Sequence, residues 1–147
     1  MLYSKVTHEL RITGLPAECF AVVSDFAFWY TWNSNILHVS LDGPFEQGAQ
    51  GVAIPTLYRI TPIRVSSVSE NEFIQVDYTI PLGVVRATYE FKSVSLSETK
   101  VKVSTEIRSF YGWFIFLYKR ARYRENLIQS LEKLQKRLSD LKSNKTN

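Results

Sequence analysis

The segment from Phe110 to Leu141, FYGWFIFLYKRARYRENLIQSLEKLQKRLSDL, constrains this chain more than any other. It holds no proline, and its one glycine, Gly112, stands near its start. Its second half is rich in strong helix formers. Leu127, Leu131, Leu134, Leu138 and Leu141 recur at steps of four, three, four and three, which puts them on one stripe of an α-helix. Such a helix is roughly 45 Å long at ~1.5 Å per residue, enough to cross the full width of a small domain.

The two halves of this helix differ. Trp113, Phe114, Ile115, Phe116, Leu117 and Tyr118 are six bulky residues in a row. A helix that is apolar on every side is buried or faces lipid. Six residues fall far short of the ~20 that span a bilayer, so burial is the expectation. Followed backwards, the leucine stripe arrives at Arg124 and Arg120. A charge on a buried stripe is costly unless it is paired or wet. Either the helix rolls and both arginines snorkel to water, or it passes over a cavity into which Arg124 points.

A chain of 147 residues predicts one domain, taken here as 1–142 with a flexible tail at 143–147. Hydrophobic residues at 45% and aromatics at 14% predict a packed core rather than disorder. Cys19 is the only cysteine, so no intrachain disulfide can form. Neither a signal peptide nor a membrane-spanning run is visible, and a cytoplasmic protein is expected. The net charge of +4 is unevenly spread: residues 119–147 carry nine Lys and Arg against three Asp and Glu. The basic segment is either a solvated helix face or a docking surface for an anionic membrane, with nucleic acid not the expected partner.

From the start, Leu2 to Ile12 alternates as a half-buried strand, with Val6, His8, Leu10 and Ile12 facing inward. Gly14-Leu15-Pro16 breaks it. Pro16 suits the first turn of a helix, and Glu18 complements that helix's positive end. Ser24 or Asp25 can cap a second short helix holding Phe26, Phe28, Trp29 and Trp32. Two helices this short need a sheet to pack on. Leu37, Val39 and Leu41 alternate with His38, Ser40 and Asp42, and a loop from Gly43 to Gly51 follows. Its glycines lack the lysine and spacing of a phosphate-binding loop. The rest predicts strands at Val52–Ile60, Ile63–Val68, Phe73–Ile80, Val84–Val94 and Lys100–Ser109. The last two alternate cleanly, which marks an antiparallel sheet with one wet face. The class is therefore α+β: one strand, two short helices, about six strands and a long helix. The inward positions mix bulky apolar groups with hydroxyls at Tyr58, Tyr78, Tyr89, Thr105 and Ser109. A mostly apolar hollow with a few polar groups is the usual composition of a small-molecule site.

The order of these elements, with ITGLPAECFAVVSDFAFWYTWNSNI, DGPFEQGAQG and the long C-terminal helix, resembles the START-like (SRPBCC) superfamily, in particular its polyketide cyclase/dehydrase and lipid-transport branch. The resemblance rests on a strand, a proline-started helix, an Asp-containing turn, the spaced pair Trp29 and Trp32, and a loop ending in glycine. It implies a helix-grip fold, in which a curved antiparallel sheet wraps around the C-terminal helix and encloses a cavity. It fixes no catalytic residue.

The residues themselves carry little chemistry. There is no CxxC and no HExxH, and the two histidines fall on different strands, so no metal site and no cofactor are expected. The expected function is binding of a small hydrophobic or lipid-like molecule between sheet and helix. Trp113 and Leu117 are expected on one wall, Tyr58, Tyr78, Tyr89 and Phe91 on the facing one, and Trp29, Trp32 and the Gly43–Gly51 loop at the entrance. The alternative is a cyclase/dehydrase-like enzyme using His8, Tyr78, Tyr89 and Arg124 as acid, base and enolate-stabilising groups.

Overall fold

Alternating side chains build the sheet and set which face is wet. In the computed structural model, which describes residues 2–56, 59–110 and 112–146, with side chains for 5–56, 59–110 and 121–144, the strands are β1 (Leu2–Thr13), β2 (Ile36–Leu41), β3 (Gln50–Pro55), β4 (Thr61–Ser69), β5 (Phe73–Ile80), β6 (Gly83–Ser93) and β7 (Glu98–Ser109). Among the described residues they form one sheet in the order β1-β7-β6-β5-β4-β3-β2. Every neighbouring pair is antiparallel. In β6, Val85, Ala87, Tyr89 and Phe91 are buried, and in β7 so are Val101, Val103, Thr105 and Ile107. Glu90, Lys92 and Arg108 face water.

Among the described residues, three helices lie against the buried face. Helix α1 (Pro16–Ser24) packs on β5, β6 and β7, a 3-10 helix (Phe26–Thr31) on β2, and α2 (Gly112–Thr146) on β1 and β7. Pro16 opens α1, and the Glu18 carboxylate accepts the Leu15 backbone N–H at 2.9 Å. Asp25 stands at the N-cap of the 3-10 helix, without a side-chain cap bond. Leu127, Leu131, Leu134 and Leu138 are buried in the same cluster as the inward face of the sheet. Helix α2 runs on past Leu141 to Thr146, through most of segment 143–147. Near that end Lys142 Nζ pairs with Glu18 at 3.4 Å, tying α2 to the start of α1.

Two details depart from the sequence reading. Leu37 is exposed rather than inward, because a bulge between Ile36 and His38 shifts the register of β2. Strand β3 stops at Pro55, and Ile60, expected in that strand, is exposed in the following loop. A second bulge lies between Val65 and Ser67, and bulges bend the strands that carry them. Gly83 is required at the β5–β6 turn, since a Cβ there would strike the Arg108 carbonyl oxygen and the backbone of Ser109.

Candidate functional site

The strand register arranges the inward face in rows. One row runs Val6, Thr105, Ala87, Val76, Val65 across β1, β7, β6, β5 and β4. All five side chains are small or β-branched, so this row forms a shallow trough. The row on one side holds Ile107, Val85, Tyr78 and Ile63. The row on the other holds His8, Val103, Tyr89, Ile74 and Val68. Two buried tyrosines therefore flank the trough, both on the side that faces the helices.

Each tyrosine has its own surroundings. Tyr78 lines a narrow crevice of about 20 Å³ with Ile36, Pro55, Thr61, Ile80, Val85 and Tyr123. Tyr123 comes from α2, so the crevice lies between sheet and helix. Burial pushes the Tyr78 phenol well above its ordinary pKa, and the phenols of Tyr89 and Tyr123 push it further the same way. Tyr89 packs its ring against Trp29 at 5.6 Å and Trp32 at 6.0 Å between centroids. Its hydroxyl accepts a hydrogen bond from Asn33 Nδ2 at 3.2 Å. Burial raises its pKa too, against the lowering effect of that hydrogen bond. Both phenols therefore stay protonated at neutral pH and act as hydrogen-bonding groups, not as bases.

A polar strap closes this region. Asn33 Oδ1 accepts the Asn35 N–H at 3.0 Å, and Asn35 Oδ1 accepts from Asn126 Nδ2 on α2 at 3.0 Å. Ser130 Oγ accepts the Ser34 N–H at 2.8 Å and donates to the Asn126 carbonyl at 2.6 Å. Residues 33–35, which follow the 3-10 helix, are thus pinned to the middle of α2. The available signal lay on the helix: Asn126 and Ser130 are polar residues four apart beside the leucine stripe.

The expected site residues separate into groups. Tyr78 lines the crevice. Tyr89 and Phe91 are buried in a neighbouring aromatic cluster, where Phe91 meets Phe20 at 6.1 Å. Trp29 and Trp32 do not stand at an entrance: they are 0% and 1% exposed and form the centre of that cluster. The loop after β2 helps bury it, because Phe45 packs edge-on against Phe20 and Phe26. His8 is half-buried, in the same row as Tyr89 but two strands away. Arg124 is exposed and does not point into a cavity. The helix rolls there, and the half-buried Tyr123 takes the inward position. Four residues before Leu127, at the spacing that also joins Leu127 to Leu131, stands Tyr123 rather than Arg124. Tyr58 and the side chains of Trp113, Leu117 and Arg120 lie outside the described residues.

Among the described residues, no group of three or more His, Cys, Asp or Glu side chains is placed to hold a metal ion. None of the described helices is long and apolar enough to cross a membrane. A larger hollow of about 440 Å³ lies on the outer face, beside Glu90, Lys92, Lys100 and Lys102. Phe73 and Phe91 line it too, but five of its seven lining residues are charged.

No family model and no curated protein matches the sequence. Solved structures do match. Norcoclaurine synthase from Thalictrum flavum, a point mutant in complex with a transition state analogue, superposes with a TM-score of 0.75 at 13% identity, over 96% of this chain and 97% of its own. A START superfamily protein from Mycobacterium smegmatis gives 0.73 at 14%, over 93% and 98%. The aromatase/cyclase Zhui from Streptomyces sp. R1128 gives 0.75 at 10%, over 94% of each chain. This chain has the START-like helix-grip fold. At these identities the likeness is one of architecture. In the helix-grip frame, the Tyr78 crevice occupies the space between the gripping sheet and the gripped helix, while the Trp32–Tyr89 cluster packs α1 and the 3-10 helix on the sheet.

Proposed function

We propose that this helix-grip protein binds a small hydrophobic molecule between its sheet and α2. The observation that carries this reading is the Tyr78 crevice, an apolar gap between sheet and helix with hydroxyls at Tyr78, Tyr123 and Thr61. Apolar walls with a few polar groups are what such a ligand needs. At about 20 Å³ the crevice holds no more than one water, so a larger guest enters by displacing Tyr123 and the trough-side groups. The trough of small side chains beside Tyr78 gives that guest somewhere to lie. The START-like neighbours include proteins solved with small molecules bound, which supports the same reading.

The test is titration with an uncharged fluorescent naphthylamine at low and high salt. Apolar burial contributes roughly 25 cal/mol per Å² before association costs and does not depend on ionic attraction. Saturable binding of one probe per chain, unchanged by salt and lost in Ala87→Phe, is the expected result. Absence of binding at every salt concentration refutes the reading.

A second contact has its own observation. Lys133, Lys136 and Arg137 border a surface hollow with Thr31 and Asp140, and Arg137 lies 5.7 Å from the ring of Phe28. This basic face of α2 suits peripheral docking on an anionic membrane. Sedimentation with anionic liposomes that weakens steeply with salt supports it; equal sedimentation with neutral liposomes removes it. Cyclase-like catalysis finds less support, because Arg124 is exposed and His8 lies two strands from Tyr89.

A further inference from the structure

The 3-10 helix buries Phe26 and Trp29 and leaves Phe28 and Tyr30 on the surface, 45% and 60% exposed. The two outer rings lie 6.2 Å apart, so they form one aromatic patch. Aromatic side chains contribute to a fold through burial, and exposed apolar patches mark contact sites. The rings stand beside the hollow of about 320 Å³ that Thr31, Lys133, Lys136, Arg137 and Asp140 border. Three cations against one carboxylate make that hollow a place for an anion.

Two of the cations are held in place by the chain. The Arg137 guanidinium lies over the Phe28 ring, 5.7 Å from its centroid, and Lys133 Nζ donates to Ser34 Oγ at 3.2 Å. A group that is ordered before binding loses less entropy when its partner arrives. Cations beside exposed aromatics suit either a membrane surface or a single-stranded nucleic acid. The charge pattern along α2 favours the membrane. Glu125, Glu132 and Asp140 are exposed and interrupt Arg122, Lys133 and Lys136 on the wet side of the helix. A nucleic-acid strand is tracked by a continuous positive groove, whereas one lipid headgroup needs only a compact seat. Arg137 also covers Phe28, where a base would have to stack.

We infer that this surface docks the protein on an anionic membrane, with Phe28 and Tyr30 set among the headgroups and one lipid phosphate seated between Lys133, Lys136 and Arg137. This rests on the docking contact proposed above and deepens it, from general attraction to a seat with an aromatic anchor. Docked this way, the protein lies with its 3-10 helix and the C-terminal half of α2 against the lipid.

The experiment is co-sedimentation of the whole chain with vesicles of phosphatidylcholine, alone and mixed with phosphatidylglycerol. Lys136→Gln should weaken binding to the anionic vesicles about fivefold, the effect of one charge near such a surface. Asp140→Asn should tighten it by a similar factor. Arg122→Gln removes an exposed cation of α2 outside the hollow and should change it less than about twofold. Phe28→Ala combined with Tyr30→Ala should weaken it about tenfold, through lost apolar contact. The charge substitutions fall at exposed positions, so the test stands even if the double aromatic variant fails to fold. Equal losses in Lys136→Gln and Arg122→Gln, or binding that a folded double aromatic variant retains in full, overturn the inference while leaving docking intact. Equal binding to neutral vesicles, or none to anionic ones, overturns both. Tighter binding to an oligouridylate than to anionic vesicles overturns it in favour of a nucleic acid.

Discussion

Replacing Leu131 by alanine tests whether α2 is held by the sheet. Leu131 is 0% exposed, between Leu127 and Leu134 on the buried stripe. Alanine is the stronger helix former, so helix propensity does not oppose the change. The loss comes from packing. Removing about three methylene equivalents at ~0.8 kcal/mol each gives roughly 2.4 kcal/mol. The cavity left behind adds to this, and measured Leu→Ala changes in cores reach about 5 kcal/mol. A loss of about 3 kcal/mol is therefore expected, which lowers Tm by roughly 6–12 °C for a chain of this size. Urea melts should show a lower midpoint with an unchanged slope, since the surface exposed on unfolding hardly alters. The exposed Gln129, on the opposite face of the same helix, is the control, and Gln129→Ala should stay within about 0.5 kcal/mol. A loss below about 1 kcal/mol for Leu131→Ala would mean that the stripe is not the grip.

Ser130→Ala removes the acceptor of the Ser34 N–H and should cost about 1–3 kcal/mol, read in the same melts. Combined with Asn126→Ala the losses should be non-additive, because both residues hold one strap. Burial pushes the Cys19 thiol up to about 11; thiol reagents at pH 8 should therefore react only after unfolding, and fast reaction with the native chain would contradict its placement. Tyr78 and Tyr89 have raised pKa values when folded, so the native chain keeps protons that the unfolded chain loses near pH 10. Stability should be unaffected by these two groups below about pH 10 and fall above it. Ultraviolet titration should show two phenols that ionise only with unfolding, and their ionisation in the folded chain near pH 10 would refute the assignment.

Local pattern carried most of the fold and little of the site. Strict alternation in β6 and β7 and the leucine spacing in α2 are properties of neighbouring residues, and both reappear as burial. Leu37 misled because a bulge is a register event that composition does not announce. Trp29 and Trp32 misled for a different reason. Their burial depends on residues 33–35 being strapped to Asn126 and Ser130, more than ninety residues away in the chain. Such pairings become visible only once the helix lies across the sheet. Arg124 was one helical position from correct: the buried stripe steps back from Leu127 by four residues to Tyr123, not by three.

The central claim is that the space between sheet and α2 takes a hydrophobic guest. Native mass spectrometry of freshly purified protein, followed by organic extraction, tests it most directly. The account predicts an adduct of one small apolar molecule per chain, released on denaturation and diminished in Ala87→Phe. Bare protein mass in every preparation, together with no uptake of the added naphthylamine, would contradict it.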